Sequence, residues 1–175
     1  MKTLNLLVST LVVILLLGFS VTTAEQTVQK KEAFIKQING CYTSYYKVHT
    51  GDVTIPNVFV TAIAIHESGW GTSRFAKEGH NYFGIRTTAT DSKHFMIAGG
   101  DANVKVARYD SMCDNVEYFI NLIAYDPRYS NVADYFKQNK QVTDYKEVLS
   151  YMNIYHEDPL WPNKVAGIIS SLQNF

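Results

Sequence analysis

The sequence predicts a mainly α (α+β) domain, a set of helices with one small β-hairpin lobe beside a cleft. Apolar side chains recur at three- and four-residue steps through most of the chain, which is typical of helices. Residues 87–108 differ, since they are polar, β-branched and interrupted by two glycines. With 175 residues, of which 46% are hydrophobic and 18% charged, the chain has enough apolar material for one compact domain.

The first two predicted helices differ in how apolar they are. Residues 27–49 place Phe34 and Ile38 on one face, which predicts a helix with one buried side. Residues 56–68 begin with Pro56, a favoured first helical residue, and leave almost no polar face. Because a helix that is apolar on nearly every side is a buried one, we expect this second helix at the centre of the core.

A short helix over residues 72–77 and a strand over residues 82–86 come next, separated by a loop. Residues 87–108 then predict a β-hairpin or a mobile flap, because Val104 and Val106 alternate with a lysine in period two. An excursion of this kind beside a cleft is a natural wall or lid.

The remaining helices are predicted from caps, prolines and apolar spacing. Ser111, followed three positions later by Asp114, resembles a capping box and begins a helix that continues through Ala124. Three shorter helices are predicted over residues 132–138, 144–155 and 162–172.

The N-terminus has the features of a secretory signal peptide. Lys2 precedes an apolar run, and Thr22 and Ala24 are small residues placed as a signal peptidase requires. We expect residues 1–24 to be a signal peptide, or alternatively an uncleaved membrane anchor, and residues 25–175 to be the working domain. Either reading predicts an exported protein in the periplasm or outside the cell, with inner-membrane anchoring if cleavage fails.

Charge and aromatic content restrict the class of partner. The 16 basic and 16 acidic side chains balance, which argues against nucleic acid or an anionic membrane surface as the partner. The chain has 12 Tyr, 9 Phe and 2 Trp, and tyrosine and tryptophan rings suit surfaces that stack on sugars. We expect a monomer with a carbohydrate partner, and membrane contact only through an uncleaved N-terminal segment.

Glu67 is the most informative residue of the chain. Counting back along the second helix gives Ile63 and Val60, so the carboxylate continues a stripe of side chains that pack in the core. Burial disfavours the ionised form of a carboxyl group and raises its pKa, which suits a proton donor near neutral pH. The sequence therefore predicts a catalytic acid in a cleft.

A zinc site at His66 and Glu67 fails on spacing. The peptidase helix that binds zinc requires a second histidine four residues after the first, and position 70 is Trp. We predict no metal and no cofactor. The two cysteines, Cys41 and Cys113, are either a disulfide or two separate thiols, since the sequence does not show whether they meet.

Several ordered blocks carry a resemblance to one family. They are HESGWG at 66–71, SRFA at 73–76, NYFGI at 81–85, ARYDS at 107–111, PRY at 127–129 and YHEDPLW at 155–161. Together they resemble the glucosaminidase domain of glycoside hydrolase family 73, and are similar to its Bax-like exported branch. The blocks cover most of residues 55–170, and their order makes the match specific.

The resemblance implies a lysozyme-like helical fold with a small β lobe and cleavage of the β-1,4 bond after N-acetylglucosamine in peptidoglycan. Glu67 is then the general acid, and a second carboxylate is expected in the β excursion. No glutamate occurs between residues 82 and 114, so the candidates there are Asp101 and Asp91. Asp101 ranks first of the two. In an alternative route the substrate's own acetamido oxygen attacks, and Tyr155 orients that group or the water.

Five further residues are predicted to bind substrate. Trp70 and Tyr82 lie close to Glu67 in sequence, and their rings suit stacking on a sugar. Asn81 is expected to hydrogen-bond either the loop after Glu67 or an acetamido group. Tyr129 and Trp161 belong to the last two blocks of the resemblance.

Two other functions remain open at the level of sequence. A lytic transglycosylase or a muramidase-type lysozyme-like enzyme shares the layout, and a transglycosylase also works with a single acid. A catalytically weak peptidoglycan-binding scaffold of the envelope is suggested by the missing glutamate in the β excursion.

Overall fold

The computed structural model describes residues 22–173. The chain divides into two units, the first ending at Ala33 and the second beginning at Phe34. The described part of the first unit, residues 22–33, is exposed throughout and is helical from Thr23 onward. The second unit, from Phe34 onward, contains the hydrophobic core and the site described below. Residues 1–21, most of the predicted signal peptide or anchor, lie outside the described residues.

The structure confirms a mainly helical domain with a small antiparallel hairpin. The helices are α1 (Thr23–Val48), α2 (Asn57–Ser68), α3 (Arg74–Gly79), α4 (Met112–Tyr125), α5 (Ser130–Gln138), α6 (Lys146–Ser150) and α7 (Trp161–Gln173), and the strands are β1 (Phe95–Ala98) and β2 (Asp101–Ala107). Single 3-10 turns cover Ser92–His94 and Pro127–Tyr129. Met96 pairs with Val106 in the hairpin. No helix in the described part of the chain is both long and apolar enough to cross a bilayer.

Helix α2 lies at the centre of the core, as its all-round apolar sequence predicts. Phe59, Val60 and Ile63 are fully buried on it, and each such side chain contributes about 1.5–3 kcal/mol on removal from water. The helix packs against α7. Gly69 ends α2 in the left-handed conformation, and its N–H bonds to the carbonyl of Ile65.

Side-chain caps define where two helices begin. Ser73 accepts the N–H of Ala76 at the start of α3. Ser111 accepts the N–H of Asp114 at 3.2 Å and donates to the Asp114 carboxylate at 2.8 Å at the start of α4. These caps satisfy backbone donors that lack partners within the first turn of a helix.

The strand predicted over residues 82–86 is wrong, since only Arg86 forms an isolated bridge, with Val106. The segment is a tight loop, because the buried Asn81 amide accepts from the N–H of Ile85 at 3.0 Å and donates to its carbonyl at 2.9 Å. Gly84 has a φ of +66° within this loop. The N–H of Ile85 is therefore not available to a strand ladder, and its carbonyl is shared between Asn81 and the N–H of Ala107, which lies 2.8 Å away.

The helix predicted over residues 144–155 is also too long. Only Lys146–Ser150 is helical. Beyond it the N–H groups of Met152 and Tyr155 bond three residues back, in successive turns. These tighter turns bury Met152 in the core and bring Tyr155 to the loop at Phe83.

Cys41 on α1 and Cys113 on α4 form a disulfide with a Cα–Cα distance of 4.8 Å. The sequence left this pairing open, because it does not give the distance between the two Cα atoms. The bridge ties the start of α4 to α1 within the second unit.

Candidate active site

Glu67 lies in the last turn of α2, and its carboxyl group is held from two sides. Its Oε1 atom accepts the indole N–H of Trp161, with Nε1 and Oε1 2.6 Å apart. Its Oε2 atom faces Gly84, where an added Cβ would approach it to 3.1 Å. The carboxyl group is therefore fixed between the start of α7 and the loop that follows Asn81.

Burial raises the pKa of Glu67 above its ordinary value. The hydrogen bond from Trp161 and the neighbouring His66 and His156 oppose the rise, because each favours the ionised form. The desolvation is the larger effect. Glu67 therefore keeps its proton to a higher pH than an exposed glutamate does, which is the requirement for a general acid.

Aromatic rings surround the carboxyl group. The His156 ring is stacked on Trp161 with centroids 4.6 Å apart, and the Tyr155 ring lies 5.7 Å from the same indole. The centroid of the Tyr129 ring lies 6.3 Å from that of the Tyr155 ring. The Tyr155 hydroxyl donates to the carbonyl of Phe83, and burial raises its pKa well above the usual range, so that it stays neutral.

These side chains line an open groove. Its walls include Glu67, Gly84, Tyr129, Tyr155, His156 and Trp161. Arg86 and Glu157, from opposite segments of the chain, also line it and form an ion pair with Nη2 and Oε1 3.0 Å apart. Both side chains of this pair are well exposed, so that the pair stabilises the fold little.

The structure brings four of the predicted site residues together in this groove, namely Glu67, Tyr129, Tyr155 and Trp161. Asp91 is not among the described residues that line it. The Asp91 carboxylate accepts the N–H of Lys93 at 3.0 Å and lies 3.9 Å from the His94 ring nitrogen. The backbone of Asp101 begins β2 opposite Ala98, and its side chain lies outside the described residues.

The other predicted substrate-binding residues have neighbours in the core. Trp70 packs edge-on against Phe34 with centroids 6.4 Å apart, and Tyr82 lies 6.0 Å from the same ring. Asn81 is buried, and its amide group is occupied by backbone partners at Ile85 and Ala107. Their roles in binding stay predictions.

Gly84 and His156 contribute to the groove without having been predicted as site residues. Both residues lie inside the blocks that carry the family resemblance, Gly84 in NYFGI and His156 in YHEDPLW. The resemblance could therefore have identified them as site residues. In the part of the chain that the structure describes, no three His, Cys, Asp or Glu side chains are grouped so as to hold a metal ion.

A partly buried acid with a raised pKa, set among aromatic rings in an open groove, is the arrangement that protonates a glycosidic oxygen. The class of protein that fold and groove define is a glycoside hydrolase. A family model described as glucosaminidase, mannosyl-glycoprotein endo-beta-N-acetylglucosaminidase, matches residues 43–174. The chain belongs to this glucosaminidase family, which confirms the resemblance found in the sequence.

Solved structures of peptidoglycan hydrolases share the fold. A peptidoglycan hydrolase from Sphingomonas sp. A1 is 24% identical, with a TM-score of 0.63 over 81% of this chain and 90% of that one. The catalytic domain of the autolysin Auto from Listeria monocytogenes is 19% identical, with a TM-score of 0.59 over 94% and 93%. The glycoside hydrolase domain of FlgJ from Salmonella typhimurium is 19% identical, with a TM-score of 0.59 over 82% and 89%. No curated protein matches the chain.

Proposed function

We propose that this glucosaminidase is an exported enzyme that hydrolyses peptidoglycan at the β-1,4 bond after N-acetylglucosamine, with Glu67 as the general acid. The observation that carries the proposal is the placement of Glu67, which is partly buried, has a raised pKa and faces an aromatic groove. Membership of the glucosaminidase family and the similarity to solved peptidoglycan hydrolases support the choice of substrate.

The reaction begins when Glu67 gives its proton to the bridging oxygen, and the bond from that oxygen to the anomeric carbon breaks. The positive charge that develops on the sugar needs a nucleophile or a neighbouring carboxylate. We favour the substrate's acetamido oxygen, which keeps the amide N–H and closes an oxazolinium ring on the anomeric carbon. Water then opens this ring, and the Glu67 carboxylate takes one proton from the water, which restores the acid.

Tyr155 suits this route as an orienting group. Its hydroxyl proton is directed at the carbonyl of Phe83, so that the lone pairs of its oxygen can accept the N–H of the acetamido group. That hydrogen bond turns the acetamido oxygen toward the anomeric carbon. The position of Asp91 also favours this route, because Asp91 is not among the described residues that line the groove.

The test of function is zymography on peptidoglycan with the parent chain and Glu67→Gln. Clearing by the parent and none by E67Q is the expected result, because a general acid contributes roughly two to four powers of ten in rate. Glu147→Gln is the matched control, since Glu147 is exposed on α6. Clearing by E67Q at the parent rate would remove Glu67 from the mechanism, and binding without clearing by both would support a scaffold.

Analysis of the new ends distinguishes hydrolysis from the other glycosidase reactions. The proposed enzyme leaves reducing N-acetylglucosamine ends. Anhydromuramyl ends would instead indicate a lytic transglycosylase, and reducing N-acetylmuramic acid ends a muramidase.

The identity of the second catalytic group is tested with Asp91→Asn and Asp101→Asn, singly and together. In the substrate-assisted route the double variant keeps most of the parent kcat, and a thiazoline analogue of N-acetylglucosamine inhibits competitively. A loss of two or more powers of ten in D101N alone would assign Asp101 as the second carboxylate.

Export is tested by the mass of the protein recovered from the cell exterior. Cleavage after Ala24 predicts a chain that begins at Glu25. Recovery of the full-length chain with the membrane fraction would show that the N-terminal segment is an anchor. In size-exclusion chromatography, the mature chain is expected to elute at the volume of a monomer.

A further inference from the structure

The hydrogen bond between Trp161 and Glu67 joins residues 94 positions apart at the centre of the groove. An indole N–H is a donor and has no lone pair to offer. The Glu67 oxygen that receives it, Oε1, must therefore act as an acceptor. Because the carbonyl oxygen of a carboxylic acid is a much better acceptor than the hydroxyl oxygen, the proton of Glu67 is favoured on the other oxygen, which here is Oε2.

The indole of Trp161 is fixed in position by its neighbours, so that its N–H stays directed at Oε1 of Glu67. Trp161 is 2% exposed, and its ring is covered on one face by the stacked ring of His156 at 4.6 Å. The Tyr155 ring lies 5.7 Å away and the His66 ring meets it edge-on at 6.1 Å. The backbone N–H of Trp161 bonds to the carbonyl of Asp158 at 3.0 Å, which fixes the start of α7.

We propose that Trp161 is a positioning residue that reserves Oε1 of Glu67 as an acceptor, so that the proton delivered to the substrate always leaves from Oε2. The Oε2 atom faces Gly84, which lines the groove. The inference rests on the proposed function, because it assigns the atom of Glu67 through which that acid acts.

The same bond assists the step itself. As the proton leaves Oε2, negative charge develops on the carboxylate, and the indole N–H becomes the donor of a charge-assisted hydrogen bond. A donor that is already in place when the charge appears stabilises the transition state without reorganisation. Trp161 therefore both selects the oxygen and stabilises the conjugate base, without contacting the scissile bond.

The first test follows the indole N–H by NMR and needs no turnover. The chain has 2 Trp residues, so the spectrum of the ¹⁵N-labelled protein has two indole signals, and Trp161→Phe identifies the signal of position 161. We expect that signal to move as Glu67 titrates and to lose this movement in Glu67→Gln. His66, His156 and Tyr155 also face the carboxyl group or the indole, and comparison with E67Q separates their titrations from that of Glu67. A signal that does not move with pH, or that moves identically in E67Q, overturns the proposal.

The second test removes the N–H and keeps the ring. Incorporation of 3-benzothienylalanine at position 161 replaces the indole nitrogen by sulfur in a side chain of nearly the same shape. We expect kcat to fall about tenfold or more, since a hydrogen bond to a developing charge is lost, while KM changes by less than about twofold. The alkaline limb of the kcat profile should move to higher pH, because the lost donor had favoured ionised Glu67. Trp161→Phe is expected to give the same direction of change.

Phe136→Leu is the matched control for loss of core packing. Phe136 is 1% exposed on α5 and lies outside the groove, so that F136L should lower the melting temperature and leave the pH profile unchanged. If the benzothienyl variant keeps the parent kcat and pH profile while E67Q is inactive, the positioning role is wrong and the proposed function stands. Activity in E67Q would instead contradict the function itself.

Discussion

The Cα atom of Gly84 faces the Oε2 atom of Glu67 so closely that a methyl group on Gly84 would approach this oxygen to 3.1 Å. Gly84 also has a φ of +66°, a conformation that side chains with a Cβ rarely adopt. Two separate constraints, backbone conformation and space for the carboxyl group, therefore require glycine at this position.

Gly84→Ala is expected to lower both stability and activity. The left-handed conformation costs alanine about 1–2 kcal/mol, and the new methyl group displaces the Glu67 carboxyl, which should reduce kcat by about tenfold or more. Gly99→Ala is the control, since nothing lies within 4 Å of a Cβ there and Gly99 has no positive φ. Denaturation midpoints measure the effect on stability, and kcat on soluble glycan fragments measures the effect on activity. If G84A has the activity of the parent, the Glu67 carboxyl group does not need the space that glycine leaves.

Tyr155→Phe removes the hydroxyl that donates to the Phe83 carbonyl. We expect a stability loss of about 0.5–1.5 kcal/mol, because a partly buried hydrogen bond is lost, and a fall in kcat from loss of the orienting oxygen. Tyr151→Phe is the matched control, since that hydroxyl donates to Glu147 at an exposed site. The comparison requires kcat and denaturation curves for both variants. Equal kcat values in Y155F and Y151F would contradict the role of Tyr155.

Glu67→Gln should stabilise the protein increasingly as the pH rises. The pKa of Glu67 is raised above 4.5 in the folded state, so the folded state holds this proton more tightly than the unfolded state does. The free energy of unfolding of the parent therefore falls as the pH rises from about 4.5 through the raised folded-state pKa. Melting temperatures of parent and E67Q should be similar below this window and diverge above it, with Glu147→Gln as the control for removal of a negative charge. A difference that does not vary with pH would show that Glu67 is not desolvated.

The disulfide between Cys41 and Cys113 should contribute strongly to stability. It closes a loop with a sequence separation of 72, and the chain-entropy relation gives about 4 kcal/mol for a loop of that length. Denaturation of the parent with and without reductant should show this loss. The Cys41→Ser, Cys113→Ser double variant should match the reduced parent and show no response to reductant.

The sequence predicted those parts of the fold that depend on local pattern. The apolar run that ends at Glu67 indicated a central helix with an acid at its end, and both follow from periodicity along one element. Ser111 and Asp114 likewise marked the start of α4, because a cap involves residues only three positions apart. The hairpin was predicted from alternation and glycines within its own segment.

The remaining features depend on contacts across the chain. Nothing near residue 67 indicates that the indole of residue 161 donates to it, since packing of α2 on α7 brings them together. Residues 82–86 look like a strand because they are apolar and aromatic, yet the amide of Asn81 bonds the backbone into a loop. In this segment the specific hydrogen bonds of Asn81 outweigh the β-strand propensity of the residues.

Glu67, which accepts the hydrogen bond from Trp161, lies on α2, and Trp161, which donates it, lies on α7. The separation of donor and acceptor is consequently set by how those helices fit together, through fully buried side chains such as Ile63 on α2 and Val165 on α7. Interiors are close-packed and transmit small displacements. We therefore expect the pKa of Glu67 to depend on how α2 packs against α7, so that removal of one methylene between these two helices would shift this pKa while the chain still folds.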